Sequence, residues 1–557
     1  MHRSADDPAA RTMSVPERRP GRGALPLWRL PFSASSPEDS RRTTLLILLA
    51  GVTLVALVMR VIALNAQLWL DEMFAAMFLQ RHSLLGILTD YRSEANHTLY
   101  SILAQLSISA FGAELWSLRL PAVLFGVASV PLLYLLGALV STRREALLAA
   151  ALLSVSYHHI WFSQNARAYT AVAFFTIAAI YFLLRGLREQ RASLFIGYAV
   201  MVALATFAHR ALVLMVAGHF VLCVALLLMR NRPYRGAWRL PGLGFGLAGA
   251  LTLLLFAPAT IRMVQDYRSG SLHSPATTVQ SATAAPQPEG AALSSEPAPA
   301  VSDPGRVDLS SRIAERWRHL RSNLERGVRI LKLGVGNTLG LALTALLFAI
   351  GVWSFWKTDR LFLAAVMAPG LFTFGLTYLL KGVVVPRYGF FLVGALILIV
   401  VRGAMVLGAR LCRLVPRGSR RASPAAWGTA LVLVLIGGSL LASRRNYITP
   451  KMDFLGAMAY VEANRGEDDP VLVLGRNTAV AYLQFYGMPW QRVESVEELD
   501  LVRAGGRDVW LLFTLPSTLR GAEWEVEALT PHACSDWRSF EGTLGDGDLR
   551  VCRLPAG

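Results

Sequence analysis

The chain has 557 residues, of which 54% are hydrophobic, and its formal net charge is +18. With a mean hydropathy of +0.44, it is too apolar for a soluble enzyme and is typical of a polytopic membrane protein. The charge does not indicate nucleic-acid binding, because no basic stripe interleaves with exposed aromatic residues on a soluble face. It reflects the Arg and Lys residues that recur between apolar segments.

The N-terminal segment is polar and rich in Pro and Arg, and a full-length apolar run follows it directly, unlike the short core of a signal peptide. We expect residues 1–42 to form a disordered cytoplasmic tail. Beyond it, apolar runs of roughly 17–22 residues predict about eleven membrane helices. Their expected bounds are 43–64, 118–140, 145–162, 168–186, 192–209, 210–229, 240–258, 336–356, 361–380, 388–407 and 425–443.

Basic residues predict the orientation of these helices. With the N-terminus in the cytoplasm, Arg and Lys recur on alternate turns, at 143–144, 185–191, 230–239, 357–360 and 410–421. An odd number of spans then places the C-terminus outside a plasma or bacterial inner membrane. A disulfide between Cys534 and Cys552 suits that oxidising side, although two free thiols are the alternative.

The chain divides by composition into a transmembrane region, 43–445, and a soluble region, 446–557. Buried strands at 471–475 and 509–513, with helical stretches around them, predict a small extracytoplasmic α/β domain. A long external loop, 259–335, combines a Pro/Ala-rich part with a basic amphipathic pattern at 309–331. That pattern predicts an interfacial helix, which either borders the site and contacts lipid phosphates or only re-enters the membrane plane.

Asp71 and Glu72 follow the first span, in a first external loop at 65–117. Adjacent carboxylates at an apolar interface are costly, so the pair is a candidate functional site. Apolar neighbours raise the pKa of a carboxyl, as a general base near neutral pH requires. The alternative is a helix start, at which the pair favours the positive end of the helix dipole.

Further polar residues fall near the outer ends of spans in this topology. Carboxylates cluster in the first loop, whereas later outer turns offer cations and hydroxyls, a division that suits an anionic substrate beside a carboxylate base. Each has a structural alternative: arginines snorkel, tyrosines form an aromatic belt and His209 ends a helix. The residues are Asp90, Glu94, Asn96, His97, Arg119, Gln164, Arg167, Tyr169, His209, Arg210, Lys381, Arg387 and Tyr388.

Several motifs in this order resemble integral-membrane glycosyltransferases of the GT-C fold, closest to glycosyltransferase family 39 with its protein mannosyltransferases and aminoarabinose transferases. They are Asp71-Glu72, 97–100 (HTLY), 118–126 (LRLPAVLFG), 161–169 (WFSQNARAY) and Arg387-Tyr388. The resemblance covers 45–260 well and 335–405 loosely. Family members often have His-Pro-Pro where this chain has His97-Thr98-Leu99, which leaves the role of His97 open.

The resemblance implies sugar transfer from a polyprenyl monophosphate carrier to an acceptor hydroxyl of a protein, lipid or cell-envelope glycan, on the extracytoplasmic face and with inversion. It implies Asp71 as the base, with Glu72 as neighbour or alternate, and Arg167, Arg387 and Tyr388 at the donor phosphate. Lys381 is expected at the same phosphate because it lies near the outer end of a span. His97, Gln164, Tyr169, His209 and Arg210 are then substrate contacts.

The sequence identifies no definite cofactor. The candidate is a divalent metal near Asp71, although two adjacent carboxylates offer few ligands. A transporter or flippase of lipid-linked sugars is the main rival function, and a membrane receptor is another. A transporter predicts internal repeats and helices broken near mid-membrane, which the sequence does not indicate.

Overall fold

The structure is a computed structural model that describes residues 37–228, 238–271, 327–381, 386–415, 423–516, 533–543 and 548–556, with residues 321, 324, 325, 519, 523 and 526. It is mainly helical, with one sheet near the C-terminus, so the predicted fold class is confirmed. Contacts divide the chain into residues 1–48 and 49–557. Of the first unit, the structure describes the start of the first helix.

The helices of the membrane region follow one another with short connections. They are α1 (Pro37–Val61), α2 (Leu70–Arg81), α3 (Leu84–Thr89), α4 (Thr98–Phe111), α5 (Leu115–Val140), α6 (Arg143–Ser154), α7 (Tyr157–Ser163), α8 (Tyr169–Glu189), α9 (Ala192–Ala208), α10 (Val213–Leu228), α11 (Arg239–Arg268), α12 (Thr338–Thr358), α13 (Arg360–Lys381), α14 (Val393–Leu414), α15 (Pro424–Ser443) and α16 (Arg445–Ile448). Short 3-10 helices at Arg210–Leu212 and Pro386–Leu392 precede α10 and α14.

Each predicted span overlaps at least one helix, but the predicted count of about eleven is not confirmed. In the described part of the chain, eight helices are long and apolar enough to cross a membrane, and the bent pair α6–α7 would make nine. Helix α9 and the described apolar part of α13, Arg360–Leu376, are shorter than the others. Length alone therefore does not show that these two segments span the bilayer.

The run predicted at 145–162 is broken at 155–156, where α6 and α7 meet at 57°. A break leaves helix carbonyls without partners, which is costly inside a membrane. Arg60 of α1 is fully buried and supplies those partners, donating to Ser154 O at 2.8 Å and Leu153 O at 3.3 Å. The hydroxyl of Ser443 donates to Val155 O at 3.0 Å. The break turns α7 away from the axis of α6.

The close approach of α5 to α7 depends on a glycine. A Cβ atom at Gly126 would overlap the hydroxyl of Ser163 and crowd Nε of Arg60 at 3.2 Å. In the native chain that Nε donates to Ser163 Oγ at 3.1 Å. A larger side chain at Gly126 would therefore displace α7 together with the residues that follow it.

Helix α8 lies at the centre of the membrane region. Its apolar window is 78% buried, against 11% for the window in α1 and 17% for that in α11. Spans on the outside of the bundle leave their apolar side chains for lipid, whereas α8 packs against protein on nearly all sides. The residues at its N-terminus therefore have a well-defined position.

The C-terminal region forms a five-stranded sheet in the order β2-β1-β3-β5-β4, with β1 parallel to β2 and β3, and β5 antiparallel to β3 and β4. Both predicted strands, now β1 and β3, are confirmed and buried throughout. The elements are α17 (Phe454–Asn464), β1 (Val471–Leu474), α18 (Arg476–Ala479), β2 (Gln491–Val493), α19 (Val496–Arg503), β3 (Val509–Thr514), β4 (Asp536–Phe540) and β5 (Leu549–Leu554).

A disulfide joins Cys534, just before β4, to Cys552 in β5, with the Cα atoms 5.5 Å apart. It fastens the outer edge of the sheet to the strand that pairs with β3.

Several sequence predictions fall on residues that the structure does not describe. They are most of the N-terminal tail, most of the long external loop and most of the amphipathic segment at 309–331. Helix α11 continues ten residues beyond its predicted end at 258, and residues 327–335 are helical.

Candidate active site

Glu72 occupies the third position of α2 and is completely buried. Its carboxylate accepts two hydrogen bonds from Arg119 of α5, each 2.7 Å long, one at each oxygen. Arg119 is also fully buried, so the two charges neutralise each other away from solvent. The backbone N–H of Trp69 donates to the same carboxylate at 3.3 Å, which closes the first turn of α2.

Arg119 also holds the loop between α1 and α2. Its remaining N–H groups donate to the carbonyls of Leu64 at 2.6 Å, Ala66 at 2.7 Å and Gln67 at 3.2 Å. The planar guanidinium thus has all five donors engaged, as a buried arginine requires. Through these contacts Arg119 anchors the loop, which leads directly to Asp71.

A second cation reaches Glu72 from far along the chain. Lys451, just beyond α16, places its ammonium 3.1 Å from Glu72 Oε2. It also donates to the carbonyl of Gln164 and to Oδ1 of Asn165. Three acceptor oxygens around one nitrogen match the three N–H bonds of an ammonium group.

Burial alone raises the pKa of Glu72, but the charges of Arg119 and Lys451 outweigh it. With hydrogen bonds from Arg119 and Ala166, they lower the pKa of Glu72 to about 2. Burial, reinforced by the Arg119 charge, lowers the pKa of Lys451 to about 7, against the raising effect of Glu72. Glu72 is therefore a fixed anion and is poorly suited to accept a proton near neutral pH.

The turn between α7 and α8 lies against this ion pair. The backbone N–H of Ala166 donates to Glu72 Oε1 at 2.7 Å. The side chain of Gln164 donates to the carbonyl of Ile62 at 2.6 Å, and the backbone N–H of Ala168 donates to Nδ1 of His97 at 3.2 Å. Gln164 and His97, expected as substrate contacts, both hold this turn.

Arg167, in the same turn, is nearly buried and incompletely paired among the described residues. One terminal nitrogen donates to the carbonyl of Ala95 at 3.2 Å, and its Nε, which is buried, has no partner there. Unlike Arg119, it makes no ion pair with a described carboxylate. A buried guanidinium with an unused N–H is well suited to receive an anion.

An aromatic cluster joins the early and late parts of the chain. Successive rings are 5.1 Å apart for Trp69–Trp161, 4.9 Å for Trp161–Phe162, 4.6 Å for Phe162–Tyr169 and 4.4 Å for Phe162–Phe390. The cluster packs the 3-10 helix at Pro386–Leu392 against the beginning of α8. The backbone of residues 387–388 is therefore near this site, while the side chains of Arg387, Tyr388 and Lys381 lie outside the described residues.

The remaining candidates fall into two groups. The ring of His97 lies 4.9 Å from that of His209 and 6.1 Å from that of Tyr169, so these three side chains are brought together. Arg210 instead faces the first loop, donating to the carbonyls of Tyr91 at 3.0 Å and Ser93 at 3.3 Å.

The other polar residues of the first loop shape the loop itself. The carboxylate of Asp90 accepts the backbone N–H groups of Arg92 and Ser93, and the amide of Asn96 donates to the carbonyl of Ile87 at 2.9 Å. Glu94 is exposed. Asp71 is half-buried at the start of α2, beside the fully engaged Glu72.

Glu72, the neighbour of Asp71, is already bound by two cations, Arg119 and Lys451. Among the residues that the structure describes, no group of three or more His, Cys, Asp or Glu side chains is arranged to hold a metal ion. A metal near Asp71 stays an untested prediction.

Arg60 and Lys451 hold the elements around the candidate site, and neither was predicted from the sequence. A single arginine inside the otherwise apolar first span is a recognisable signal, since intramembrane charges are kept for a purpose. Nothing in the sequence distinguishes Lys451, because lysines are common in any soluble segment that follows a membrane span.

The ion pair, the turn and the aromatic cluster place the motifs at 118–126 and 161–169 around one site. Residues 98–261 match the family model for dolichyl-phosphate-mannose-protein mannosyltransferase. The match confirms the resemblance that the motifs predicted. It contains Arg119 and Arg167, whereas Asp71 and Glu72 precede it. No curated protein matches the chain.

Solved structures of membrane glycosyltransferases are similar to the chain at low sequence identity. The archaeal oligosaccharyltransferase AglB from Archaeoglobus fulgidus, in complex with an inhibitory peptide and a dolichol-phosphate, is 12% identical, with a TM-score of 0.49 over 85% of this chain and 70% of that one. ArnT from Cupriavidus metallidurans bound to undecaprenyl phosphate is 13% identical, with a TM-score of 0.43 over 92% and 98%. The arabinosyltransferase EmbB from Mycobacterium smegmatis is 14% identical, with a TM-score of 0.40 over 76% and 43%.

Proposed function

We propose that the chain is a membrane glycosyltransferase that moves a sugar from a polyprenyl monophosphate carrier to an acceptor hydroxyl on a protein, lipid or cell-envelope glycan. The family matched by residues 98–261 is named for transfer from dolichyl phosphate mannose to protein. Which sugar and which acceptor this chain uses depends on loops around the site.

The observation that carries the proposal is the Nε–H of buried Arg167, which has no hydrogen-bond partner among the residues that the structure describes. Burying a cation is costly unless it is paired, and Glu72, in the adjoining loop, is already held by Arg119 and Lys451. An incoming phosphate supplies the missing charge and accepts the unused N–H. Arg387, Lys381 and Tyr388 are assigned to the same phosphate because the 3-10 helix that carries two of them packs beside α8.

Asp71 is assigned as the general base. Its neighbour Glu72 accepts the backbone N–H of Ala166, so the first turn of α2, which contains Asp71, contacts the turn that carries Arg167. Glu72 itself, with its pKa lowered to about 2, is assigned a positioning role instead of proton transfer. With these assignments, a carboxylate and a guanidinium act on one substrate, as general base catalysis and phosphate stabilisation require.

The reaction is an inverting displacement at the anomeric carbon. The acceptor oxygen forms a bond to that carbon while the bond from carbon to phosphate oxygen breaks, and its electron pair stays on the polyprenyl monophosphate. Asp71 takes the proton of the acceptor hydroxyl. Arg167, with the other cations, stabilises the charge that develops on the departing phosphate, a type of contact worth roughly 3–4 kcal/mol of barrier.

The site is assigned to the extracytoplasmic side, with the N-terminus in the cytoplasm and the C-terminal domain outside. The alternation of basic turns supports this orientation. The disulfide between Cys534 and Cys552 supports it independently, because such bonds persist in oxidising compartments.

A flippase or transporter of lipid-linked sugars is the alternative that shares the same ligand. Both functions need a phosphate site, so binding alone does not separate them. The test is transfer by purified protein in liposomes with lipid extracts from the source membrane. Release of free polyprenyl phosphate together with a glycosylated acceptor supports the transferase, whereas movement of intact carrier across the bilayer without release overturns it.

A further inference from the structure

Three contacts fix the C-terminal domain to the loops of the site. Lys451 binds Glu72 and the turn at Gln164 and Asn165. The side chain of Gln67 donates to Asp453 Oδ1 at 3.1 Å and accepts the backbone N–H of Leu455 at 3.3 Å.

The third contact joins the domain to α7. The indole N–H of Trp161 donates to Thr543 Oγ1 at 2.7 Å, and Tyr157 donates to Thr543 O at 2.8 Å. Thr543 is fully buried, and its backbone N–H donates to Pro450 O at 3.0 Å, beside Lys451. The loop at Thr543 and the segment at Lys451 therefore approach the site together.

We infer that the C-terminal domain completes the site by supplying Lys451 as a positioning residue for the turn that carries Arg167. The inference rests on the proposed function for the role of that turn. Lys451 binds residues that adjoin the two proposed catalytic positions. It acts through Glu72, which follows Asp71 in the chain, and through Gln164 and Asn165, which precede Arg167.

The charge balance explains why a cation is needed there. Arg119 donates to both oxygens of Glu72, but Gln164 O and Asn165 Oδ1 are acceptors that lie close to Glu72 Oε2. Without a donor between them, three oxygens would face one another in a buried position, which is unfavourable. The Lys451 ammonium satisfies all three, and Trp161 covers it with its ring 5.7 Å away.

Hydrogen exchange of the peptide spanning 164–170 tests the positioning role without any substrate. In full-length Lys451→Met, exchange in this peptide should be about tenfold faster than in the wild type, because the turn loses its charged anchor. Lys451→Arg should restore protection, since a guanidinium keeps the charge and the donors. Lys357→Met, at an exposed lysine at the end of α12, is the matched control. Unchanged exchange in Lys451→Met, in a folded protein, would overturn the inference.

Binding of undecaprenyl phosphate to the same proteins in nanodiscs gives the second readout. Lys451→Met should bind about tenfold more weakly, with recovery in Lys451→Arg. Thr543→Val, which removes the acceptor for Trp161, should weaken binding in the same direction. Equal affinity for the wild type and Lys451→Met would contradict the inference, whereas no binding by the wild type would count against the proposed function and leave the exchange result to decide the inference.

Discussion

The backbone N–H of Ala166 and the carboxylate of Glu72 are joined by a hydrogen bond of 2.7 Å. This contact brings the loop after the first span against the turn before α8, and each partner has a proposed catalytic residue beside it in sequence. Asp71 adjoins Glu72, and Arg167 adjoins Ala166. In the proposed mechanism, the ion network of Glu72, Arg119 and Lys451 positions these residues and takes no part in proton transfer.

Asp71→Asn should abolish transfer, because the amide keeps the shape of the side chain but accepts no proton. General base catalysis contributes about 100-fold or more to rate. Binding of the polyprenyl phosphate carrier should persist. Asp90→Asn is the matched control, since its side chain shapes a turn of the same loop. Near-normal turnover by Asp71→Asn would remove the base assignment.

Arg167→Leu should lose affinity for the carrier and slow transfer, because the departing phosphate loses a charged partner. Loss of such a contact raises the barrier by roughly 3–4 kcal/mol. Arg167→Lys should recover little, because a lysine ammonium lacks the planar fork of a guanidinium. Titration of undecaprenyl phosphate in nanodiscs measures the effect, with the exposed Arg143→Leu as control. Wild-type affinity in Arg167→Leu would exclude Arg167 from the phosphate site.

Arg387→Ala should also weaken carrier binding, because its 3-10 helix packs beside α8. Combining it with Arg167→Leu tests whether the two cations share one ligand. Side chains that bind the same phosphate are expected to be non-additive in a double-mutant cycle. Independent, additive effects in the same titration would place them at different ligands.

Glu72→Gln should destabilise the protein by about 3–5 kcal/mol, as is usual when one partner of a buried ion pair is removed. Lys451 and Arg119 would then be left facing a neutral amide. Thermal unfolding in detergent measures the loss, with exposed Glu94→Gln as control. Equal melting temperatures for the two variants would show that the network is not structural.

The pH dependence of stability follows from the lowered pKa of Glu72. Its folded pKa is about 2 and its ordinary value is 4.5, so its contribution is complete above 4.5. The contribution is lost as pH falls from about 4.5 to about 2, because the unfolded chain binds the proton first. Unfolding measured across that range should show a smaller acid-induced loss in Glu72→Gln than in the wild type. Identical acid profiles would contradict the assignment.

Much of the fold was accessible from the sequence because apolar run length is set by the bilayer. Runs at 43–64 and 388–407 and the strand at 509–513 all correspond to observed elements. The break inside 145–162 could not be predicted, because the residues at the break, Val155 and Ser156, are neither Gly nor Pro. The break is stabilised by Arg60, which is distant in sequence.

The site was predictable only in part. Asp71, Arg167 and Tyr169 belong to sequence motifs. Arg119 is recognisable as a charged residue at the start of an apolar run. The distinction between Asp71 and Glu72 was not accessible, because it depends on which carboxylate faces Arg119 across the fold. Lys451 was not accessible either, since its partner lies 379 positions earlier in the chain.

Native mass spectrometry of the wild type, Asp71→Asn and Arg167→Leu, purified from the source membrane, tests the central claim most directly. We predict that Asp71→Asn retains a polyprenyl phosphate that still carries its sugar, because the donor binds and transfer is blocked. The wild type should retain the carrier without sugar, and Arg167→Leu should retain neither. Absence of any lipid phosphate from both the wild type and Asp71→Asn would contradict the claim that the chain is a carrier-dependent glycosyltransferase.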